Sequence, residues 1–125
     1  MMSFHRTLPE KPIIVENFQG GKGSLKMQPI LNSRQEMYDK GRVFGLMTLT
    51  KGDEIGRHTH HGDGETFYIL KGQGKYLYQG QLIDVFPGDV LFTDDGEEHY
   101  MRNEQEEPLV FIALVLFKDA APPEK

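Results

Sequence analysis

Short apolar stretches rich in β-branched and aromatic residues recur along the chain and are separated by turns that contain glycine or proline. Spacing of about 8 to 12 residues between such stretches is typical of an all-β sandwich or barrel. Pro29 cannot donate a ladder hydrogen bond, so residues 25–31 are predicted to form an edge strand. Only residues 32–40 are expected to contain a helical turn or two. The predicted strands are 13–15, 25–31, 43–50, 65–70, 75–78, 82–86, 90–93, 99–102 and 109–117.

The same pattern divides the chain into three parts. Residues 1–24 are predicted to be an extended N-terminal arm suited to forming a dimer, residues 25–118 a barrel, and residues 119–125 a disordered tail. The glycine-rich stretch 19–24 lacks the spacing of a phosphate-binding loop and is interpreted as a plain turn between strands.

Composition narrows the class of protein. The 125 residues are enough for one domain, and the net charge of −5 argues against a nucleic-acid-binding face. There is no cysteine, which excludes disulfides and thiolate ligands. The longest apolar run, residues 109–117, is far shorter than the roughly 20 residues of a membrane helix, and the N-terminus lacks a signal-peptide core. We therefore expect a cytoplasmic protein without nucleic-acid or membrane partners.

Candidate chemistry is concentrated in residues 58–65, which read HTHHGDGE. His58 and His60 are two positions apart, so in a strand they share one face, whereas His61 points away. Two glycines permit a turn, after which Glu65 can lie opposite the histidine pair. His99 begins another predicted strand and could supply a fourth ligand. Imidazole and carboxylate groups arranged in this way indicate a metal site.

Two spaced motifs resemble the signature of the cupin family. The first is Gly52-x5-His58-x-His60-x4-Glu65-x6-Gly72, and the second is Gly88-x5-Asp94-x-Gly96-x2-His99-x3-Asn103. Asp94 stands where the family usually has proline, which removes a rigid turn element but no ligand. Nine of ten signature positions match across residues 52–103.

The resemblance implies a cupin-type double-stranded β-helix, a jelly-roll barrel with its ligand site inside. It implies that His58, His60, Glu65 and His99 bind one divalent transition metal. Manganese, iron, nickel, cobalt and zinc all suit such ligands, and the sequence does not choose among them. Cupins of this size also commonly form homodimers, by pairing sheet faces or by exchanging N-terminal strands.

Two functions follow from the resemblance. The first is a metal-dependent enzyme of the dioxygenase, decarboxylase, isomerase or lyase type that acts on a small polar metabolite. The alternative is a metal-bearing small-molecule binding or sensor protein without catalysis. No catalytic residue beyond the metal ligands is assigned.

Several further side chains near the motifs could contact a ligand. Phe67 and Phe92 are candidates for shaping the pocket. Alternation directs Arg57 and Arg102 away from the histidines, and Arg42 cannot be placed from the sequence.

Overall fold

Antiparallel β-sheets make up nearly all of the regular secondary structure. The structure is a computed structural model that describes residues 2–119, and the predicted tail therefore lies outside the described residues apart from Asp119. The predicted all-β double-stranded β-helix is confirmed. The strands are β1 (Ile13–Glu16), β2 (Ser24–Leu31), β3 (Gly41–Leu49), β4 (Glu54–Thr59), β5 (Asp63–Lys71), β6 (Gly74–Tyr78), β7 (Gln81–Val85), β8 (Val90–Thr93), β9 (Glu98–Arg102) and β10 (Leu109–Phe117).

Two sheets enclose one apolar core. The six-stranded sheet has the order β1-β2-β3-β10-β5-β8, and the four-stranded sheet has the order β4-β9-β6-β7. Both sheets contribute inward side chains, which is how sheets stack face to face. The core cluster consists of Leu25, Met47, Leu49, Ile55, Phe67, Ile69, Tyr76, Val85, Met101, Leu109, Phe111 and Ala113.

Alternation along the strands directs the site residues inward. On β5, Phe67 and Ile69 are buried on the same face as Glu65, and on β9 Met101 is buried on the same face as His99. The prediction that these two faces line the interior of the barrel is therefore confirmed.

The prediction for residues 25–31 was wrong in one respect, because β2 is not an edge strand. β1 pairs with it from Ile13 opposite Met27 to Glu16 opposite Ser24. Pro29 lies beyond that pairing and is opposite Gly45 in the ladder with β3, next to a register shift. A proline removes one hydrogen-bond donor at its own position and does not prevent the rest of the strand from pairing on both sides.

Residues 32–40 form consecutive hydrogen-bonded turns rather than a regular helix, with Met37 and Asp39 both donating to the carbonyl oxygen of Arg34. The N-terminal arm lies against this region, because the Arg6 guanidinium pairs with Glu36. The part of the chain that the structure describes contains no helix long and apolar enough to cross a membrane.

Candidate metal centre

Four side chains from three strands converge inside the barrel. His58 lies on β4, His60 directly follows β4, Glu65 lies on β5, and His99 lies on β9 opposite His58. The Nε2 atom of His99 is 3.0 Å from that of His58 and 3.1 Å from that of His60. Glu65 Oε1 is 3.1 Å from His60 Nε2 and 3.3 Å from His99 Nε2. One ligand atom from each residue thus lies within 4.8 Å of all the others.

The opposite nitrogen of each imidazole is held by a neighbouring oxygen. His58 Nδ1 donates to the carbonyl oxygen of Gly56 at 2.7 Å. His60 Nδ1 donates to the Asp63 carboxylate at 2.6 Å. His99 Nδ1 is 2.9 Å from the Thr93 hydroxyl. Such partners fix the orientation of a ring and direct its Nε2 atom to the centre of the site.

This donor set fits a metal ion. A carbonyl oxygen and a carboxylate only accept hydrogen bonds, so Nδ1 of His58 and of His60 carries the proton and Nε2 of the neutral ring presents a lone pair. Lone pairs that face one another at 3.0 to 3.1 Å repel unless a proton or a cation lies between them. Neighbouring ligands at right angles around a metal, with bonds of about 2.1 Å, are separated by about 3.0 Å. The spacing and chemistry therefore match a group that could hold a metal.

Burial and charge shift the ionisation of the four groups in different directions. Burial opposes ionisation of Glu65, but hydrogen bonds from His60 and His99 outweigh it and lower the pKa of Glu65 to about 2. The hydrogen bond with Glu65 raises the pKa of His60 above its ordinary value. Burial lowers the pKa of His58. Without a metal, the site therefore keeps an ionised carboxylate and holds a proton most readily on His60.

A register shift in β4 and a close backbone contact shape the mouth of the site. The ladder with β9 shifts between Ile55 and His58, and such irregularities re-aim side chains. The short 3-10 turn Phe18–Gly20 packs on this bulge, because a Cβ atom at Gly56 would lie only 2.0 Å from the carbonyl oxygen of Gln19. Phe18 and Gln19 consequently line the cavity. The interpretation of residues 19–24 as a plain turn missed this contribution.

Asp63 and Arg42 extend the site beyond the four converging side chains. Asp63 is only 5% exposed, and its second carboxylate oxygen accepts a hydrogen bond from Arg42 Nε at 2.9 Å. Arg42 also lines the cavity. Asp63 lies in the HTHHGDGE stretch, and the positive φ of 78° at Gly62 marks the turn that brings it back to His60.

The inner cavity beside the four converging side chains is small, with a volume of about 40 Å³, and His58, His60 and Arg42 also line the larger open mouth outside it. Phe67 is one of its walls and stacks on His99 with ring centroids 5.1 Å apart. Phe92 is 58% exposed on the outer surface, so its candidacy as a pocket residue was wrong. His61 is exposed at the outer mouth and is not among the four converging residues.

Arg57 and Arg102 lie outside the site, as the alternation in the sequence predicted. Arg57 forms an ion pair with Glu98, and Arg102 forms one with Glu104, both on the surface of the barrel. Neither lines the cavity.

Two curated proteins are similar to this chain in sequence. A curated oxalate-binding protein of Thermotoga maritima is 38% identical over 105 residues, which cover 84% of this chain and 86% of that protein. The quercetin 2,3-dioxygenase of Bacillus subtilis is 42% identical over 52 residues, which cover 42% of this chain but only 15% of that enzyme.

Similarity extends to solved structures. The crystal structure of a predicted oxalate decarboxylase from Thermotoga maritima superposes with a TM-score of 0.83 at 34% identity, covering 90% of this chain and 99% of that one. The family model for the cupin domain matches residues 45–116, which include all four converging side chains. With both motifs, the barrel and its inward histidines in place, the chain belongs to the cupin family.

Proposed function

We propose that this protein binds one divalent transition metal through His58, His60, Glu65 and His99, and uses it to bind oxalate or a dicarboxylate of similar size. The observation that carries the proposal is the convergence of these donors at the base of a cavity of about 40 Å³. A metal held there supplies positive charge and open coordination positions for ligand oxygens. The similarity to an oxalate-binding protein supports the choice of ligand.

The size of the cavity favours a very small ligand. The volume of about 40 Å³ is only a few times the roughly 10 to 15 Å³ that a single water molecule needs. Oxalate joins its two carboxylates directly and is the smallest dicarboxylate. A flavonol with three rings would require Phe67, Phe111 and the other apolar walls to move. The similarity to quercetin 2,3-dioxygenase, which covers only 15% of that enzyme, is therefore not extended to its substrate.

The lining of the cavity favours binding over catalysis. Decarboxylation of oxalate to formate and carbon dioxide consumes a proton, which a positioned acid normally delivers. Among the described residues, the ionisable lining groups are three of the four donors and Arg42, and none is a free carboxylic acid, tyrosine or lysine. Similarity to a predicted oxalate decarboxylase keeps that reaction as the second candidate. Formation of formate from oxalate by metal-loaded protein, absent with His99→Ala, would establish it.

Isothermal titration calorimetry tests the binding proposal. Metal-loaded protein should bind oxalate at one site per chain, and it should bind succinate, which is longer, far more weakly. Metal-free protein and the His99→Ala variant should not bind oxalate. The proposal fails if oxalate does not bind the metal-loaded protein, or if it binds equally well without the metal.

We also propose that the protein is a homodimer that pairs through the outer face of the six-stranded sheet. Tyr68, Val90 and Phe92 are 44%, 65% and 58% exposed on neighbouring strands of this face. Ile112 and Leu114 lie beside them on β10, whose sequence is apolar on both faces. Contiguous exposed apolar side chains are typical of association surfaces. A twofold axis would let the same patch serve both subunits.

Light scattering on two variants distinguishes pairing through the sheet face from pairing through the N-terminal arm. Val90→Lys should reduce the mass to that of one chain if the sheet face pairs. Ile14→Lys, on exposed β1, should leave the dimer intact. The opposite result would favour the N-terminal arm, which in the single chain pairs with its own β2. A monomeric wild type would refute both. The cytoplasmic location remains a prediction.

A further inference from the structure

Arg42 is the cationic side chain of the cavity and is brought there by an irregularity in the sheet. In the ladder between β3 and β10, Val43 is paired with Val115 and Gly41 with Leu116, so Arg42 is an additional residue on β3. An additional residue breaks the alternation of side chains. As a result Arg42 and Val43, although adjacent in sequence, both line the cavity.

The hydrogen bonds of Arg42 leave the end of its side chain available. Nε donates to the buried carboxylate of Asp63 at 2.9 Å, and Asp63 in turn accepts from His60. The terminal nitrogens Nη1 and Nη2 donate no hydrogen bond to any residue within 2–119. Arg57, by comparison, directs both Nε and Nη2 to Glu98. Arg42 is therefore oriented by one nitrogen and retains two with which to bind a ligand.

The charges around the cavity favour a negatively charged ligand. A divalent ion and Arg42 contribute three positive charges, and Glu65 and Asp63 contribute two negative charges, which leaves a net charge of about +1. Asp119 adds a further carboxylate at the outer mouth. Without Arg42, a dianion would enter a site with no net positive charge. A guanidinium is also the side chain best matched to a carboxylate.

We propose that Arg42 is a specificity-determining residue that binds the carboxylate oxygens of the ligand which the metal does not hold. The site therefore selects a dicarboxylate dianion over an equally small ligand with one carboxylate. This inference rests on the proposed function, because it assigns a second anchor for the same ligand.

The test compares oxalate with oxamate, in which an amide replaces one carboxylate at nearly the same size. Titrations are made on metal-saturated wild type, on Arg42→Gln, and on Arg57→Gln as the control arginine outside the cavity. Metal content is measured on every sample. Wild type should prefer oxalate. Arg42→Gln should bind oxalate about 10- to 100-fold more weakly, the range expected for loss of a hydrogen bond to a charged group, and should bind oxamate nearly as wild type does.

The possible results distinguish the role of Arg42 from the proposed binding of oxalate. If wild type binds oxalate and Arg42→Gln binds it equally well, the role of Arg42 is refuted and the proposed function stands. If oxalate and oxamate weaken by the same factor, Arg42 has only a structural role, which also refutes the inference. If wild type binds no oxalate, both proposals fail. Should Arg42→Gln not fold, Arg42→Lys keeps the charge and should still lose part of the preference for oxalate.

Discussion

Replacement of Asp63 by asparagine should weaken metal binding without dismantling the barrel. Asp63 contacts no metal directly, but one of its carboxylate oxygens holds His60 Nδ1 at 2.6 Å and the other holds Arg42 Nε at 2.9 Å. Asparagine has nearly the same shape. It can still accept a hydrogen bond from His60, but its amide nitrogen then faces Arg42 Nε, so two donors meet.

The size of the effect follows from these two contacts. A hydrogen bond to a charged group contributes about 1.5 to 3 kcal/mol, against about 0.5 to 1.5 kcal/mol between neutral groups. Loss of the charge alone should therefore cost about 1 kcal/mol, and misplacement of Arg42 adds to this. The expected total is about 1.4 to 2.8 kcal/mol, which corresponds to a 10- to 100-fold loss of metal affinity.

Competition against a chromophoric chelator at pH 8 measures this affinity where proton competition is small. Asp53→Asn is the matched control, because Asp53 is also buried but accepts from Ser24, Thr50 and Lys26 and contacts no metal ligand. It should lower the stability of the fold and change the metal affinity by no more than about twofold. Wild-type affinity in Asp63→Asn, or an equal loss in both variants, would refute the reasoning.

Two further predictions concern the pH dependence of the site and its apolar wall. The hydrogen bond with Glu65 raises the pKa of His60, so a metal that binds there must displace a proton. Metal affinity should therefore fall as the pH drops from 8 towards 6. Calorimetry in buffers of different ionisation enthalpy should detect the released proton. Affinity independent of pH over that range would contradict this. Phe67→Ala should lower the free energy of unfolding of the metal-free protein by about 3 to 5 kcal/mol in urea, because Phe67 is only 2% exposed. Phe86→Ala, at an exposed position, should cost under about 1 kcal/mol, and equal losses would refute the assignment of Phe67 to the core.

The predictable parts of the structure are those that depend on local periodicity. Alternation places Glu65 with Phe67 and His99 with Met101, and both pairs face inward as expected. Turn residues bound all nine predicted strands within two positions, and the largest differences are at the starts of β3 and β5, which begin at Gly41 and Asp63. The motif spacing groups His58, His60, Glu65 and His99 as candidate ligands of one site. In the fold, one donor atom from each residue lies within 4.8 Å of the others.

The parts that sequence reasoning missed depend on irregular backbone. Strand β4 was not predicted as a separate strand, because Gly56 and a register shift interrupt its alternation. Arg42 enters the cavity through the additional residue in β3, which no periodicity reveals. Asp63 is one of many carboxylates in an acidic chain, and only the turn at Gly62 turns it towards His60. The available signal in the sequence was an aspartate three residues after the candidate ligand His60, with a glycine between them.

Elemental analysis of tag-free protein purified without added metal tests the central claim most directly. We predict about one equivalent of a divalent transition metal per chain, present in His61→Ala and lost in His58→Ala and His99→Ala. The contrary result is protein that contains no metal and takes up none on titration. Loss of metal from His61→Ala but not from His60→Ala would contradict the assignment of ligands.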